Sequence, residues 1–163
     1  MEDYNRIVQD TVNELINQGF SDTAFGDIFL EDLKKYREDQ LRSVGIHAHF
    51  PLWKKDTRLL MEEFIELGFR TIVVCCNGDV LDRSFAGREI DDQFLKDLPK
   101  DVDPCGENGE FHTFCFDGPL FDYPIAFQKG EIIRRSYPRP QRNEQEPETI
   151  DYWFCDLRTI EEE

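Results

Sequence analysis

Apolar residues in the first half of the chain repeat one order of features: a helical stripe, then a glycine, then a short strand. The stripes cover residues 3–18, 30–44 and 60–67, the glycines are Gly19, Gly45 and Gly68, and the strands cover residues 23–25, 46–50 and 70–76. Glycine commonly follows a helix because it takes the left-handed conformation without strain. Helices that alternate with strands are typical of parallel sheets. The pattern predicts an α/β fold, a partial doubly wound parallel sheet flanked by helices.

The third predicted strand, residues 70–76, is apolar on both faces instead of alternating. Strands of this kind are covered by helices on both sides, so we expect it at the centre of the sheet. In open parallel sheets, ligands bind beyond the carboxyl ends of the strands. The segments at those ends are residues 26–27, 51–53 and 77–79, and we expect all of them along one edge.

The second half of the chain predicts a smaller, β-rich portion. Its expected elements are a short helix over residues 90–98, a strand over 111–116, a hairpin of 124–128 and 131–137 around Lys129-Gly130, and a last strand over 150–155. Residues 138–149 are polar and contain prolines, which predicts a mobile loop. We therefore divide the chain into portions 1–100 and 101–163, which we expect to form one compact unit.

A polar stretch, residues 103–114, leads into the predicted strand 111–116 and reads DPCGENGEFHTF. Its glycines give the backbone unusual freedom, and its side chains supply acceptors, donors and a titratable ring. The candidates for substrate binding or catalysis are Gly106, Glu107, Asn108, Gly109, Glu110, His112 and Thr113. The structural alternative is a turn in which Glu110 caps backbone amides.

Other candidate site residues are scattered along the chain, and each has an ordinary structural alternative. Asp27 and Glu31 are placed to contact a nucleotide or magnesium, although Asp27 is equally suited to an N-cap. Arg37 and Arg88 are candidate phosphate or carboxylate clamps, but ion-paired arginines are commoner. Trp53 is suited to stacking on adenine or to packing.

Histidine and cysteine patterns are weaker signals. His47 and His49 share one face of a strand, as a metal pair would, but no third ligand has suitable spacing. Cys105 is the only thiol in a candidate site, and no basic partner is evident that would make it a nucleophile. We therefore predict no metal site.

Composition narrows the choice of partners. The chain has a net charge of −16, which argues against nucleic acid and against an anionic membrane surface. No run approaches the ~20 apolar residues of a membrane span, and the first residues do not resemble a signal peptide. Five cysteines without C-x-x-C spacing favour a reducing compartment, so we expect a cytoplasmic protein.

Several segments together resemble one known family. They are GDIFLEDLKKYRE (26–38), FPLW (50–53) followed by Asp56-Thr57, EFIELGF (63–69), FAGREID (85–91), DLP (97–99) and DPCGENGEFHTF (103–114). In family order, these segments resemble the diphthine–ammonia ligases, which are ATP pyrophosphatases of the adenine nucleotide alpha hydrolase superfamily. The resemblance covers residues 22–137. It implies a Rossmann-like, adenine nucleotide alpha hydrolase-like fold with a C-terminal portion that carries the glycine and glutamate motif.

The resemblance also implies a reaction and its partners. A substrate carboxylate is activated by ATP as an acyl-adenylate, pyrophosphate leaves, and ammonia then displaces AMP. In the type reaction the carboxylate belongs to diphthine, a modified histidine of elongation factor 2. The implied roles are catalysis by Glu107, Glu110 and His112, substrate binding by the rest of the motif and Arg88, and ATP binding, with or without Mg²⁺, by Gly26, Asp27, Glu31 and Trp53.

The sequence departs from the family pattern in two respects. The SGGKDS loop that grips the ATP phosphates does not occur in it, so we expect no ATP turnover unless another segment supplies that loop. In the usual motif, two glycines follow the first glutamate and an acid precedes the threonine. Here Asn108 replaces the first of those glycines and His112 replaces that acid, as in bacterial relatives where diphthamide is not expected.

Two alternatives to a ligase remain. One is a non-catalytic module that binds a nucleotide or another small molecule with the same pocket, and the other is a Cys/His metal protein. An incomplete sheet with an open edge also favours pairing with a second copy of the chain, or with a complementing ATP-loop segment.

Overall fold

The computed structural model describes residues 2–139 and 148–160, which form two compact units, Met1–Lys55 and Asp56–Glu163. The predicted boundary near residue 100 lies inside the second unit. The helices are α1 (Glu2–Asn17), α2 (Glu31–Arg42), α3 (Thr57–Glu66) and α4 (Asp92–Asp97), with a 3-10 turn at Arg83–Phe85. The strands are β1 (Asp22–Ala24), β2 (His47–His49), β3 (Arg70–Asn77), β4 (Phe111–Asp117), β5 (Phe127–Pro138) and β6 (Thr149–Thr159). No helix in the described ranges is long and apolar enough to cross a membrane.

The N-terminal unit confirms the predicted order of helix, glycine and strand. Strands β1 and β2 pair in parallel, with Asp22 opposite His47 and Ala24 opposite His49, and α2 connects them. Gly45 follows α2 with a φ of 78°, a backbone conformation that residues other than glycine rarely adopt. The glycine prediction therefore identified where the helix ends.

The C-terminal unit contains a four-stranded antiparallel sheet in the order β4-β3-β6-β5. The prediction that residues 70–76 belong to a parallel sheet was wrong, because β3 pairs antiparallel with both β4 and β6. Its predicted central position is correct. An apolar run shows that a strand is buried, but it does not determine the direction of the neighbouring strands.

The predicted hairpin around Lys129-Gly130 was also wrong. Residues 127–138 form one long strand whose pairing with β6 shifts register between Lys129 and Ile132. A local irregularity of this kind lets a glycine lie within a strand. The predicted last strand is confirmed by β6, and most of the predicted loop 138–149 lies outside the described residues.

The core cluster of the C-terminal unit includes Val73, Cys76 and Phe94. Phe94, which is completely buried, makes edge-to-face ring contacts with Phe85 and Phe111, each at 5.7 Å between ring centres. Helix α4 presents Phe94 to the sheet, and the Asp91 carboxylate caps this helix by accepting the Phe94 N–H at 2.7 Å. Because Phe111 is the first residue of β4, this packing fixes the end of the polar stretch 103–114.

Candidate functional site

The Glu110 side chain is buried within the polar stretch, where it is 6% exposed. Its Oε1 accepts the Asp103 backbone N–H at 3.0 Å and the Asn108 side-chain amide at 2.9 Å. Its Oε2 accepts the Asn108 backbone N–H at 2.9 Å. A buried carboxylate needs such donors, since an unpaired one would be costly. The structural alternative predicted for Glu110, capping of backbone amides, is therefore present.

Asp103 holds the other end of the same loop. Its Oδ2 accepts the backbone N–H groups of Cys105 at 3.1 Å and Glu107 at 2.9 Å. Asp103 was not among the predicted site residues. The available signal was an aspartate at the start of a glycine-containing turn, a position where it commonly accepts backbone hydrogen bonds.

Gly106 is required by the loop geometry. Its φ is 70°, and a Cβ atom built on it would lie 2.9 Å from the Phe111 carbonyl oxygen and 3.2 Å from the Phe111 ring. Gly109 also has a positive φ, of 80°, but a Cβ atom there would meet nothing within 4 Å. Of the two glycines, Gly106 is therefore the one whose backbone approaches Phe111 closely.

The accessible groups of the loop lie in its turn and at the start of β4. His112 and Thr113 are exposed, Asn108 is exposed, and Glu107 is half-buried. His112 pairs with Cys75 across the sheet, and Thr113 pairs with Val73. The loop thus has a buried carboxylate inside and an imidazole and a hydroxyl that solutes can reach.

Strand β3 is joined to the loop at its carboxyl end. The Asn77 N–H donates to the Glu110 carbonyl oxygen at 2.8 Å, and the Gly78 N–H donates to the Asp151 carbonyl oxygen at 2.7 Å. The Asn77 side-chain oxygen accepts the Asp79 N–H at 2.9 Å. Asn77, the last residue of β3, is therefore hydrogen-bonded to the polar stretch.

Cys105 lies in the loop as a protonated thiol. Its Sγ donates to the Thr57 carbonyl oxygen at 3.2 Å. Burial, and then the nearby carboxylates of Asp103, Glu107 and Asp56, raise the pKa of this thiol to about 12. A nucleophilic cysteine requires the opposite shift, so the geometry supports a structural Cys105.

Arg88 is ion-paired, which is the structural alternative predicted for it. Its guanidinium lies 2.8 Å from an Asp97 carboxylate oxygen and 5.3 Å from the ring centres of Phe85 and Phe94. Hydrogen bonds from Arg88 and Gln93 hold the pKa of Asp97 below its ordinary value of 3.8. A substrate carboxylate at Arg88 would have to displace Asp97.

Asp27, in the N-terminal unit, is 8% exposed and pairs with Arg37. The Arg37 Nε lies 2.8 Å from Asp27 Oδ2, and the Arg37 guanidinium carbon lies 4.4 Å from the Phe25 ring centre. The alternative that Asp27 is an N-cap was wrong: the N-cap position of α2 is Leu30, which makes no side-chain cap. Asp27 is instead neutralised by Arg37.

The other predicted nucleotide-binding residues also belong to the N-terminal unit. Glu31 lies 3.1 Å from the Lys54 ammonium. Gly26 is exposed, and a Cβ atom added there would meet nothing within 4 Å. Trp53 is half-buried, and the Lys34 ammonium lies 4.9 Å from its ring centre. Since Asp27 and Glu31 are both committed to cations, they do not fit a magnesium site in this arrangement.

His47 and His49 lie on β2 and are both exposed. His49 Nε2 lies 2.7 Å from Asp22 Oδ1, and hydrogen bonds from Ser21 and His49 hold the pKa of Asp22 below 3.8. Across the described ranges, no three His, Cys, Asp or Glu side chains are grouped in a way that suits a metal ion. His49 therefore has a carboxylate as its partner in the described residues.

Comparison with known proteins gives one family and several relatives. Residues 56–137, just over half of the chain, match the family described as diphthamide synthase C-terminal domain. A diphthine–ammonia ligase from Schizosaccharomyces pombe is 29% identical over 103 residues, which are 61% of this chain and 17% of the relative. The Bos taurus enzyme of that name is 28% identical over 113 residues, 66% of this chain and 42% of the relative.

A third relative extends the similarity into the N-terminal unit. The Danio rerio diphthine–ammonia ligase is 27% identical over 145 residues, 83% of this chain and 54% of the relative. The matched part of the chain thus spans between 17% and 54% of these three proteins.

Proposed function

The chain belongs to the diphthamide synthase C-terminal domain family, and from this we propose that it is part of an ATP-dependent ligase that joins ammonia to a carboxylate. The observation that carries the proposal is that the matched segment, residues 56–137, contains the whole loop from Asp103 to Thr113. Both ends of that loop are fixed by buried or half-buried carboxylates, which is the rigidity expected of a substrate site.

The proposed reaction has two steps. A carboxylate oxygen attacks the α-phosphorus of ATP, the bond to the β-phosphate breaks, and pyrophosphate leaves. Ammonia then attacks the carbonyl carbon, AMP departs with the electron pair of the broken C–O bond, and the attacking nitrogen loses a proton. The product is a primary amide.

We assign the roles in this reaction from the accessibility of each group. His112 is exposed and is the proposed acceptor of the proton from the attacking nitrogen. Glu107 is the proposed partner of ammonium before attack. Glu110, predicted as catalytic, is better suited to positioning, because both of its oxygens already accept hydrogen bonds from the loop.

The remaining motif residues are assigned to substrate binding. Gly106 and Gly109 shape the loop, and Asn108 and Thr113 offer polar groups to the substrate. Arg88 would bind the substrate carboxylate after releasing Asp97. The substrate is a small-molecule or protein-borne carboxylate. The type substrate diphthine is one candidate, but Asn108 and His112 differ from the usual motif.

ATP is the proposed co-substrate, and Gly26, Glu31 and Trp53 are its proposed contacts, with Asp27 acting through Arg37. The SGGKDS phosphate loop is not among these 163 residues, so we propose that a further segment supplies it. A cytoplasmic location, the absence of nucleic-acid and membrane partners, and a dimeric or complemented state remain predictions.

The second candidate is a binding module that retains the pocket without turnover. The observation that favours it is that Glu110, Asp27 and Arg88 already have partners within their own units. Such a protein would bind a carboxylate or a nucleotide and release no pyrophosphate.

The test measures pyrophosphate and AMP release from ATP in the presence of ammonium chloride and candidate carboxylates. The chain is assayed alone and with a separate polypeptide that carries the SGGKDS loop. The ligase proposal predicts equal amounts of pyrophosphate and AMP when all components are present. Binding of ligands by calorimetry without any pyrophosphate in either mixture would favour the binding module and reject the ligase.

A further inference from the structure

A groove of about 760 Å³ lies on the C-terminal unit, on strand residues that include Thr113 at the end of the loop that holds Glu110. Its apolar wall includes Val74, Phe114, Phe127, Ile133 and Phe154. The ring centres of Phe114 and Phe127 lie 6.0 Å apart in an edge-to-face contact, and Ile133 is paired with Phe154 across β5 and β6. Its size and apolar lining are those of sites that hold small organic molecules.

Arg135 stands at this groove without an acidic partner among the described residues. Its guanidinium carbon lies 5.5 Å from the ring centre of Phe154. Its neighbour Arg134 pairs with Asp151, and Arg158, also at the groove, has a nitrogen 3.2 Å from Asp156. Arg135 is exposed, so its guanidinium is open to an anion from solution.

The other charges at the groove restrict where an anion would bind. Glu131 lines the groove on the same strand as Arg135, four residues away, which is about 13 Å along a strand. Asp156 is balanced by Arg158. The positive end of the groove is therefore at Arg135. An anion bound there would lie about 13 Å from Glu131 along the strand, too far for strong repulsion.

We propose that this groove binds an organic carboxylate with an apolar, aromatic-sized body, and that Arg135 binds its anionic group. Arginine offers a carboxylate two parallel hydrogen bonds. Thr113, which belongs to the family motif, also lines the groove. The inference thus rests on the proposed function in one respect: the groove would hold the body of the acid that the ligase activates.

The test is calorimetric titration of the chain with 2-naphthoate, its neutral analogue 2-naphthamide, and acetate, all without ATP. We expect 2-naphthoate to bind at least about tenfold more tightly than 2-naphthamide, a factor equal to about 1.4 kcal/mol. Acetate lacks the apolar body, and we expect no measurable binding. Equal affinities for the acid and the amide, or no binding of the acid up to its solubility, would overturn the proposal.

Variants locate the site and control for folding. We expect Arg135→Gln to weaken 2-naphthoate binding by about tenfold and to leave 2-naphthamide binding unchanged. Arg134→Gln alters the adjacent residue of the same strand, whose side chain pairs with Asp151, and should leave both affinities unchanged. Glu131→Gln should leave 2-naphthoate binding unchanged or tighten it. Equal loss in the two arginine variants would place the anion elsewhere and contradict the proposal.

This experiment is separate from the test of the ligase itself. If 2-naphthoate binds more tightly than 2-naphthamide but no pyrophosphate is released, the groove proposal stands and the ligase proposal is rejected. Pyrophosphate release with no charge-dependent binding of 2-naphthoate would retain the ligase and reject the groove as described.

Discussion

Asn108 donates to both carboxylate oxygens of Glu110: its backbone N–H bonds Oε2 and its side-chain amide bonds Oε1, each at 2.9 Å. A glycine at this position would offer only the backbone bond. The asparagine therefore adds a second bond that ties the exposed turn to the buried carboxylate. Glu110 consequently acts in this chain as the internal support of the loop.

Replacing Glu110 by glutamine should destabilise the loop although its shape is nearly unchanged. All three groups that face the carboxylate are donors, so the amide NH₂ of glutamine would oppose at least one of them. We expect Glu110→Gln to lower the free energy of unfolding by about 2 kcal/mol. Urea denaturation measures this loss, and hydrogen exchange of the Asn108 amide should accelerate with it. Unchanged stability and exchange would show that the carboxylate does not support the loop.

The two glycines of the loop should respond differently to alanine. Gly106→Ala places a Cβ atom 2.9 Å from the Phe111 carbonyl, whereas Gly109→Ala meets nothing within 4 Å. Both pay the cost of a left-handed backbone, about 1–2 kcal/mol, but only Gly106→Ala also adds a steric clash. We expect Gly106→Ala to be the less stable variant by at least about 1 kcal/mol. Equal denaturation midpoints for the two variants would contradict the close approach at Phe111.

Cys105 should react slowly with iodoacetamide in the folded protein. Its pKa is raised to about 12, chiefly by burial, so at pH 8 its thiolate is at least about a hundredfold scarcer than in the unfolded chain. Peptide mass spectrometry after timed labelling, with and without urea, measures the ratio of rates. Cys105→Ser should leave the number of rapidly labelled thiols in the folded protein unchanged. Equal rates in the folded and unfolded chain would rule out the protonated, buried thiol.

The ion pair of Arg88 and Asp97 should make stability depend on acid pH. The pKa of Asp97 lies below 3.8 in the folded state, so its stabilising contribution is complete above that value and is lost as the pH falls through the lowered pKa. We expect Asp97→Asn to reduce the urea midpoint at pH 7, and the difference from wild type to shrink below pH 3.8. A difference that stays constant from pH 7 to pH 3 would contradict this assignment.

Local patterns predicted the helices and strands well because those elements depend on residues near one another in sequence. The apolar stripes and glycines located α1, α2 and α3, and the short strands followed them. The partners of β3 could not be predicted, because its two neighbours β4 and β6 come later in the chain and the apolar run fits either direction. The same holds for Lys129-Gly130, where pairing with β6 replaces the expected turn.

The sequence predicted which segment forms the candidate site, but it did not predict most of the contacts between its side chains. Polar and glycine residues identified the stretch 103–114, and the structural alternative for Glu110 was foreseen. The partner of Asp27 was not foreseen, because Arg37 lies ten residues away, across the loop and the start of α2. The groove at Arg135 was also missed, since its residues come from several strands and join one surface only in the folded sheet.

The most direct measurement of the central claim is the transfer of nitrogen from ammonium to a carboxylate. The chain, supplied with a polypeptide carrying the SGGKDS loop, is incubated with ATP, ¹⁵N-ammonium and candidate acids, and the product is analysed by mass spectrometry. We predict a ¹⁵N-labelled amide formed together with AMP. His112→Ala should slow its formation by about a hundredfold or more, and the control His47→Ala, on the exposed strand β2, should not. AMP without labelled amide, or equal rates in the two histidine variants, would contradict the account.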